Sequence, residues 1–99
     1  MKRIAVDGLP DDPLAAAGVF HQHWLAHVED VLAKGEDVLL RVPGADHTHR
    51  EWRLAAVAGL ARKHAPRRIV MIAGEGPALE ATADYCAAAP GVTGQYLES

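Results

Sequence analysis

The sequence predicts an α/β fold, a four-stranded parallel sheet built βαβαβαβ with helices on both faces. Three observations carry this expectation. Short apolar runs alternate with longer stretches whose apolar residues recur every three or four positions. Proline or glycine closes the segments, at Pro10 and Pro13, Gly35, Pro43-Gly44, Pro66, Gly74 and Pro90-Gly91. The run Ile69–Ala73 is apolar without a break, as a strand covered on both faces requires. Strands alternating with helices imply right-handed crossovers.

The elements follow in order. Ile4-Ala5-Val6 is a short strand ending at Asp7-Gly8. A long helix runs from about Pro13 to Lys34, with Phe20, Trp24, Leu25, Val28, Val31 and Leu32 on one buried face and Gly35 as its stop. Residues 37–42 form the second strand. Thr48 and Glu51 have the spacing of a capping box, so the second helix is expected to start at Thr48 and to run until Pro66. Residues 68–73 are the third strand, and Pro77 is suited to the first turn of a third helix. Residues 92–97 are expected as the last strand.

Ninety-nine residues fit a single domain over 1–99. The apolar share, 49%, leans on alanine, and only 5% of residues are aromatic. Such an interior buries little area per side chain, so association with another copy would add stability. A net charge of −3, with only the short basic pairs Arg62-Lys63 and Arg67-Arg68, argues against a nucleic-acid partner. The lone Cys86 excludes an intramolecular disulfide and any multi-cysteine metal site. No apolar run approaches the ~20 residues that span a bilayer, and Asp7 interrupts any signal-peptide core. The expectation is a cytoplasmic protein with no membrane association.

Two groups of residues are candidates for function. Asp7, Asp46, His47, His49 and Glu75 all fall near the carboxyl edge of the sheet, where open α/β folds place ligands. Together they would suit proton transfer or a small polar ligand; separately, they are common helix caps and turn residues. The second group is a surface. Trp52, Ala55, Ala56 and Gly59 give the second helix an apolar face besides the one formed by Val57, Leu60, Ala61 and His64, and Phe20 and Trp24 add aromatic area on the first. Aromatic anchors beside small residues suit a helix–helix interface in a dimer or tetramer. His23 and His27 have the i, i+4 spacing of paired metal ligands, but no third ligand accompanies them. No metal, cofactor or catalytic set is expected.

A resemblance sharpens this reading. Ala55-Ala56-Val57-Ala58-Gly59-Leu60-Ala61-Arg62, followed by Ala65-Pro66-Arg67-Arg68-Ile69-Val70, is similar to the helix after the active site of short-chain dehydrogenases and the strand that it feeds. Pro90-Gly91-Val92-Thr93-Gly94-Gln95-Tyr96-Leu97 resembles their last strand, and Gly74 lies where they carry a Pro-Gly turn beside the cofactor. The resemblance implies a Rossmann-like sheet of sequential order 1-2-3-4. It also implies that the two helices forming the family's dimer bundle are the first two here.

The departures matter as much. The glycine-rich cofactor turn of the family has no counterpart, and its catalytic tyrosine and lysine fall on Arg50 and Leu54. Neither can replace them, since a guanidinium does not give up its proton and leucine has none to move. The serine that would precede them is missing from Pro43-Gly44-Ala45. The expectation is a non-catalytic Rossmann-like domain that self-associates as an accessory or scaffold protein. The alternative is a small-ligand-binding protein or atypical enzyme using the Asp/His/Glu group. The first strand is expected as an open edge, guarded by Lys2 and Arg3, where a protein partner such as a full-length dehydrogenase would dock.

Overall fold

A computed structural model describes residues 1–99. Its strands are β1 (Lys2–Ala5), β2 (Val38–Val42), β3 (Ile69–Ala73) and β4 (Tyr96–Glu98). Its helices are α1 (Pro13–Val19), α2 (Leu25–Ala33), α3 (Arg50–Lys63) and α4 (Gly76–Ala88). All neighbouring strands pair parallel, in the order β1-β2-β3-β4, as expected. No helix is long and apolar enough to cross a membrane.

The sheet has two unequal cores. On one face Ile4, Val6, Val38, Leu40, Val42, Ile69 and Met71 meet Phe20, Val28, Val31 and Leu32 before β2, and Val57 and Leu60 of α3. On the other, Leu39, Val70 and Ile72 meet only Leu79, Ala83 and Cys86 of α4. Successive strand residues point to opposite faces, so the unbroken run of β3 is the sequence signature of this two-sided burial.

This arrangement corrects one expectation. When parallel strands are added in sequence along one direction, crossovers of one hand put every helix on one face. Here α4 lies on the face opposite α2 and α3, so the third crossover has the opposite hand to the first two. With the first two following the right-handed rule, obeyed in about 98% of cases, the third is left-handed. Residues 89–95 make it possible. The loop passes from α4 to the α3 side, where a Cβ on Gly94 would meet the Ala61 Cβ at 3.2 Å, and Gly94 takes φ +71°. Gly94 N–H donates to Ile69 O at 2.7 Å, and Ile69 N–H donates to Thr93 Oγ1 at 3.0 Å. These bonds tie the loop to the start of β3, so the last strand begins at Tyr96 rather than at residue 92.

Arg68 holds the origin of this crossing. Its guanidinium donates to the carbonyls of Cys86 at 3.1 Å and Ala89 at 2.9 Å, capping the C-terminal end of α4. Its Nε and backbone N–H bind the two carboxylate oxygens of Asp37, at 3.1 and 2.8 Å.

The first helix is not continuous. Between α1 and α2, residues Phe20–Trp24 form a π-turn, closed by Leu25 N–H donating to Phe20 O. The reason lies in the helical period. Phe20 and Val28 are both fully buried on the sheet, and eight α-helical residues would leave them about 80° apart. Absorbing one residue brings the separation to about 20°.

The second helix also starts differently from expectation. Asp46, not Thr48, is the cap. It accepts from Thr48 N–H at 2.9 Å and from the Thr48 hydroxyl, opening a 3₁₀ turn at His47–His49 before α3 begins at Arg50. Asp46 competes for the Thr48 side chain that the capping box would need.

Candidate functional site

The carboxyl ends of β1, β2 and β3 bring Asp7 and Glu75 to one shallow depression of about 280 Å³, with Arg41 and Gly74 also in its wall. The other three residues expected there are occupied elsewhere. Asp46 is the helix cap just described, and the bonds from Thr48, its side chain first, hold its carboxyl below the ordinary range. His47 is exposed on the 3₁₀ turn. His49 is buried, and both of its ring nitrogens are bonded. Nε2 lies 2.9 Å from Asp11 O, and Trp52 Nε1–H donates to Nδ1 at 3.1 Å. A carbonyl only accepts and an indole only donates, which puts the ring proton on Nε2. His49 thus ties the loop before α1 to α3. The five residues do not form one cluster, and no three His, Cys, Asp or Glu side chains gather to hold a metal ion.

The family-like positions on α3 are also placed. Arg50 is exposed and pairs with Glu98 of β4. Leu54 is 46% exposed, on the side of α3 away from the sheet. Neither reaches the depression.

The second candidate is the surface between α1 and α3. A groove of about 500 Å³ runs over Leu14, Ala17, Trp52 and Ala55, with Thr48 and Glu51 at its polar end. A second groove of about 230 Å³, lined in part by Leu25, Ala55, Ala56 and Gly59, continues along α3. Leu14 stands 84% exposed at the margin. Trp52, Ala55, Ala56 and Gly59 therefore share one surface. Phe20 does not belong to it. It is fully buried and supports Trp52 from beneath, ring centroids 5.7 Å apart, so it has no surface to offer a partner. Trp24 is half-buried against the core and lies outside both grooves.

Sequence reasoning missed Arg53. It is 2% exposed, yet no carboxylate neutralises it. Nη1 donates to Pro43 O at 2.9 Å and to the Tyr96 hydroxyl at 3.1 Å. The guanidinium lies over the rings of Trp52 and Tyr96, at 5.7 and 5.8 Å, and Nε is buried with no partner. Ring faces supply the negative potential that a carboxylate would otherwise provide. Its signal was present, since Arg53, Val57 and Leu60 continue one helical stripe.

Among known proteins, the family described as short chain dehydrogenase-like protein matches residues 4–99. No curated protein and no solved structure matches the chain.

Proposed function

The chain belongs to the short chain dehydrogenase-like family, and within it we propose a non-catalytic accessory or scaffold domain that self-associates through its α1–α3 face. In this reading residues 1–99 act as one domain in the cytosol, as a dimer or tetramer. The observation that carries it is the groove over Trp52 and Ala55, bordered by the 84% exposed Leu14. An aromatic ring flanked by small side chains, with a large aliphatic residue left in water beside it, has the composition of an interface centre. A twofold axis through this face would let Leu14 of each copy enter the groove of the other, an isologous contact.

The residues that stand where the resemblance would place chemistry support a non-catalytic role. Arg50 is committed to Glu98 and Leu54 faces solvent. The depression at the carboxyl edge holds carboxylates and a guanidinium but no hydroxyl, thiol or amine nucleophile among its walls.

Absolute molar mass by light scattering tests the interface. The wild-type chain is expected as a dimer or tetramer at tens of micromolar. Leu14→Glu and Ala55→Glu, both at exposed positions, should lower the mass at unchanged circular dichroism. Trp52→Glu is the weaker choice because its indole holds His49. A monomeric wild type would overturn the proposal.

A second reading keeps the depression as a site for a small cationic or polar ligand, favoured by Asp7 and Glu75 facing it together. Thermal-shift screening of the wild type against Asp7→Asn/Glu75→Gln would reveal it as a stabilisation that the double variant loses.

A further inference from the structure

We infer that the free edge of β1 is a second self-association surface, pairing antiparallel with β1 of another copy in a register that sets Ala5 opposite Ala5 and Arg3 opposite Asp7. This goes beyond the helix-face proposal and does not depend on it.

The ladder shows which groups are free. Lys2 N–H donates to Asp37 O at 2.7 Å and Val6 N–H to Arg41 O at 2.8 Å, and Ile4 lies beside Leu40 in the same register. In a parallel pair both polar groups of a residue point the same way, alternating along the strand. The even-numbered residues therefore face β2, while Arg3 and Ala5 turn their N–H and C=O groups outward, and the same alternation carried past the strand's end turns Asp7 outward too. All three are exposed. On the face shared with α4, the strand carries only Arg3 and Ala5, because α4 packs on β2 and β3.

The choice of partner follows from charge and parity. The strand is basic at its start, with Lys2 and Arg3, and acidic at its end, with Asp7. Parallel addition of another copy would align like charges, whereas antiparallel pairing aligns opposite ones. A twofold axis normal to the sheet also keeps like faces together, so only odd residues pair across the free edge. Centring the axis on Ala5 places Arg3 opposite Asp7 twice and opposes the two small Ala5 side chains. Ile4 then lies opposite Val6 on the core face, and Lys2 faces Gly8, where no atom lies within 4 Å of an added Cβ. Centring on residue 3 would oppose two arginines, and centring on residue 4 would pair Arg3 with Ala5. The three outward residues together form about six backbone hydrogen bonds across the axis.

The Arg3 guanidinium is paired with Glu80 at 2.7 Å and Asp84 at 3.1 Å on α4, so meeting Asp7 of the other copy requires it to be shared with, or released from, those carboxylates. The junction is short, below the roughly 1,000 Å² of a stable interface, so the pairing depends on concentration.

Amide hydrogen exchange of the whole chain, at low micromolar and at millimolar concentration, reads the edge directly. The amides of Arg3, Ala5 and Asp7 should slow by about tenfold or more at the higher concentration, while Ile4 and Val6 are protected at both. Ala5→Pro removes an outward donor without touching the bonds to β2, an edge position proline tolerates, and should abolish the concentration dependence at Arg3 and Asp7. Asp7→Lys should do the same, and Leu14→Glu should leave it intact. In mixed labelled and unlabelled protein, a contact between Ile4 Hα and Val6 Hα of different copies reports the register. The proposal is overturned if the three amides exchange freely at both concentrations. It is equally overturned if their protection ignores concentration, or if it vanishes with Leu14→Glu.

Discussion

Deleting Gln22 should be nearly harmless, although it removes a residue from the middle of a helical segment. A deletion in an α-helix rotates everything beyond it by about 100°. Applied to α2, that rotation would carry Val28, Val31 and Leu32 off the sheet. At about 1.5–3 kcal/mol for each buried side chain, the cost would be roughly 4.5–9 kcal/mol, comparable to the whole stability of a small domain. The π-turn at Phe20–Trp24 changes this result. It already absorbs one residue, and Gln22 is exposed within it. Without Gln22, Phe20 and Val28 are seven residues apart in a plain α-helix, about 20° from eclipsed. The stability should therefore change by no more than about 1 kcal/mol. The control is deletion of the exposed Leu54 from α3, which has no such turn. It rotates Val57 and Leu60 away from Arg53 and the sheet, at about 3–6 kcal/mol. Urea unfolding followed by tryptophan fluorescence and far-UV circular dichroism measures both. If loss of Gln22 destabilises the chain as much as loss of Leu54, the π-turn is not what keeps Phe20 and Val28 in register.

Two further perturbations test the crossing and its anchor. Gly94→Ala places a Cβ at φ +71° and 3.2 Å from the Ala61 Cβ, and should cost about 1–3 kcal/mol in urea unfolding; Gly91→Ala, with open space around it, should stay within about 0.5 kcal/mol. Burial raises the carboxyl of Asp37, but the bonds from Arg68 outweigh this and hold it below its ordinary value. The folded value being the lower one, its contribution is complete above about pH 5 and is lost as pH falls through the folded value. Glu29, lowered by Lys63 first and then His64, acts in the same direction. Asp37→Asn should cost about 1–3 kcal/mol at pH 7 and flatten the decline of stability below pH 5; an unchanged acid slope would show that Asp37 is not part of it.

The sequence made much of the architecture legible. Apolar runs bounded by proline and glycine located the first three strands, the fourth was expected four residues too early, and the unbroken run of β3 announced cover on both faces. The hand of the third crossover was not read, because periodicity tells which side chains are buried and not on which side of the sheet the next helix lies. It was nevertheless implied, since sequential order and two covered faces are compatible only with one reversed connection. The π-turn was invisible for another reason. Phe20, Trp24 and Val28 repeat every four residues, a spacing that suits an uninterrupted helix unless both ends must sit flat on one sheet. At the carboxyl edge only Asp7 and Glu75 share a depression. Asp46 and His49 lie outside it, their polar atoms claimed by bonds with Thr48, Asp11 and Trp52. Arg53 escaped because a charged residue on an apolar stripe reads as an interruption, until the rings of Trp52 and Tyr96 close around it.

The two unequal cores also set an order of assembly. All fourteen buried residues of the larger cluster lie between Ile4 and Ala73. A nascent chain that has emerged as far as β3 thus holds all fourteen of those residues, and each strand so far pairs with the one made just before it. No strand has to insert between two others. Helix α4 and β4 come last in the chain, α4 covering the opposite face while Tyr96 of β4 completes the packing on the first. The reversed crossover is then a choice made late, when the occupied face leaves α4 only the opposite one.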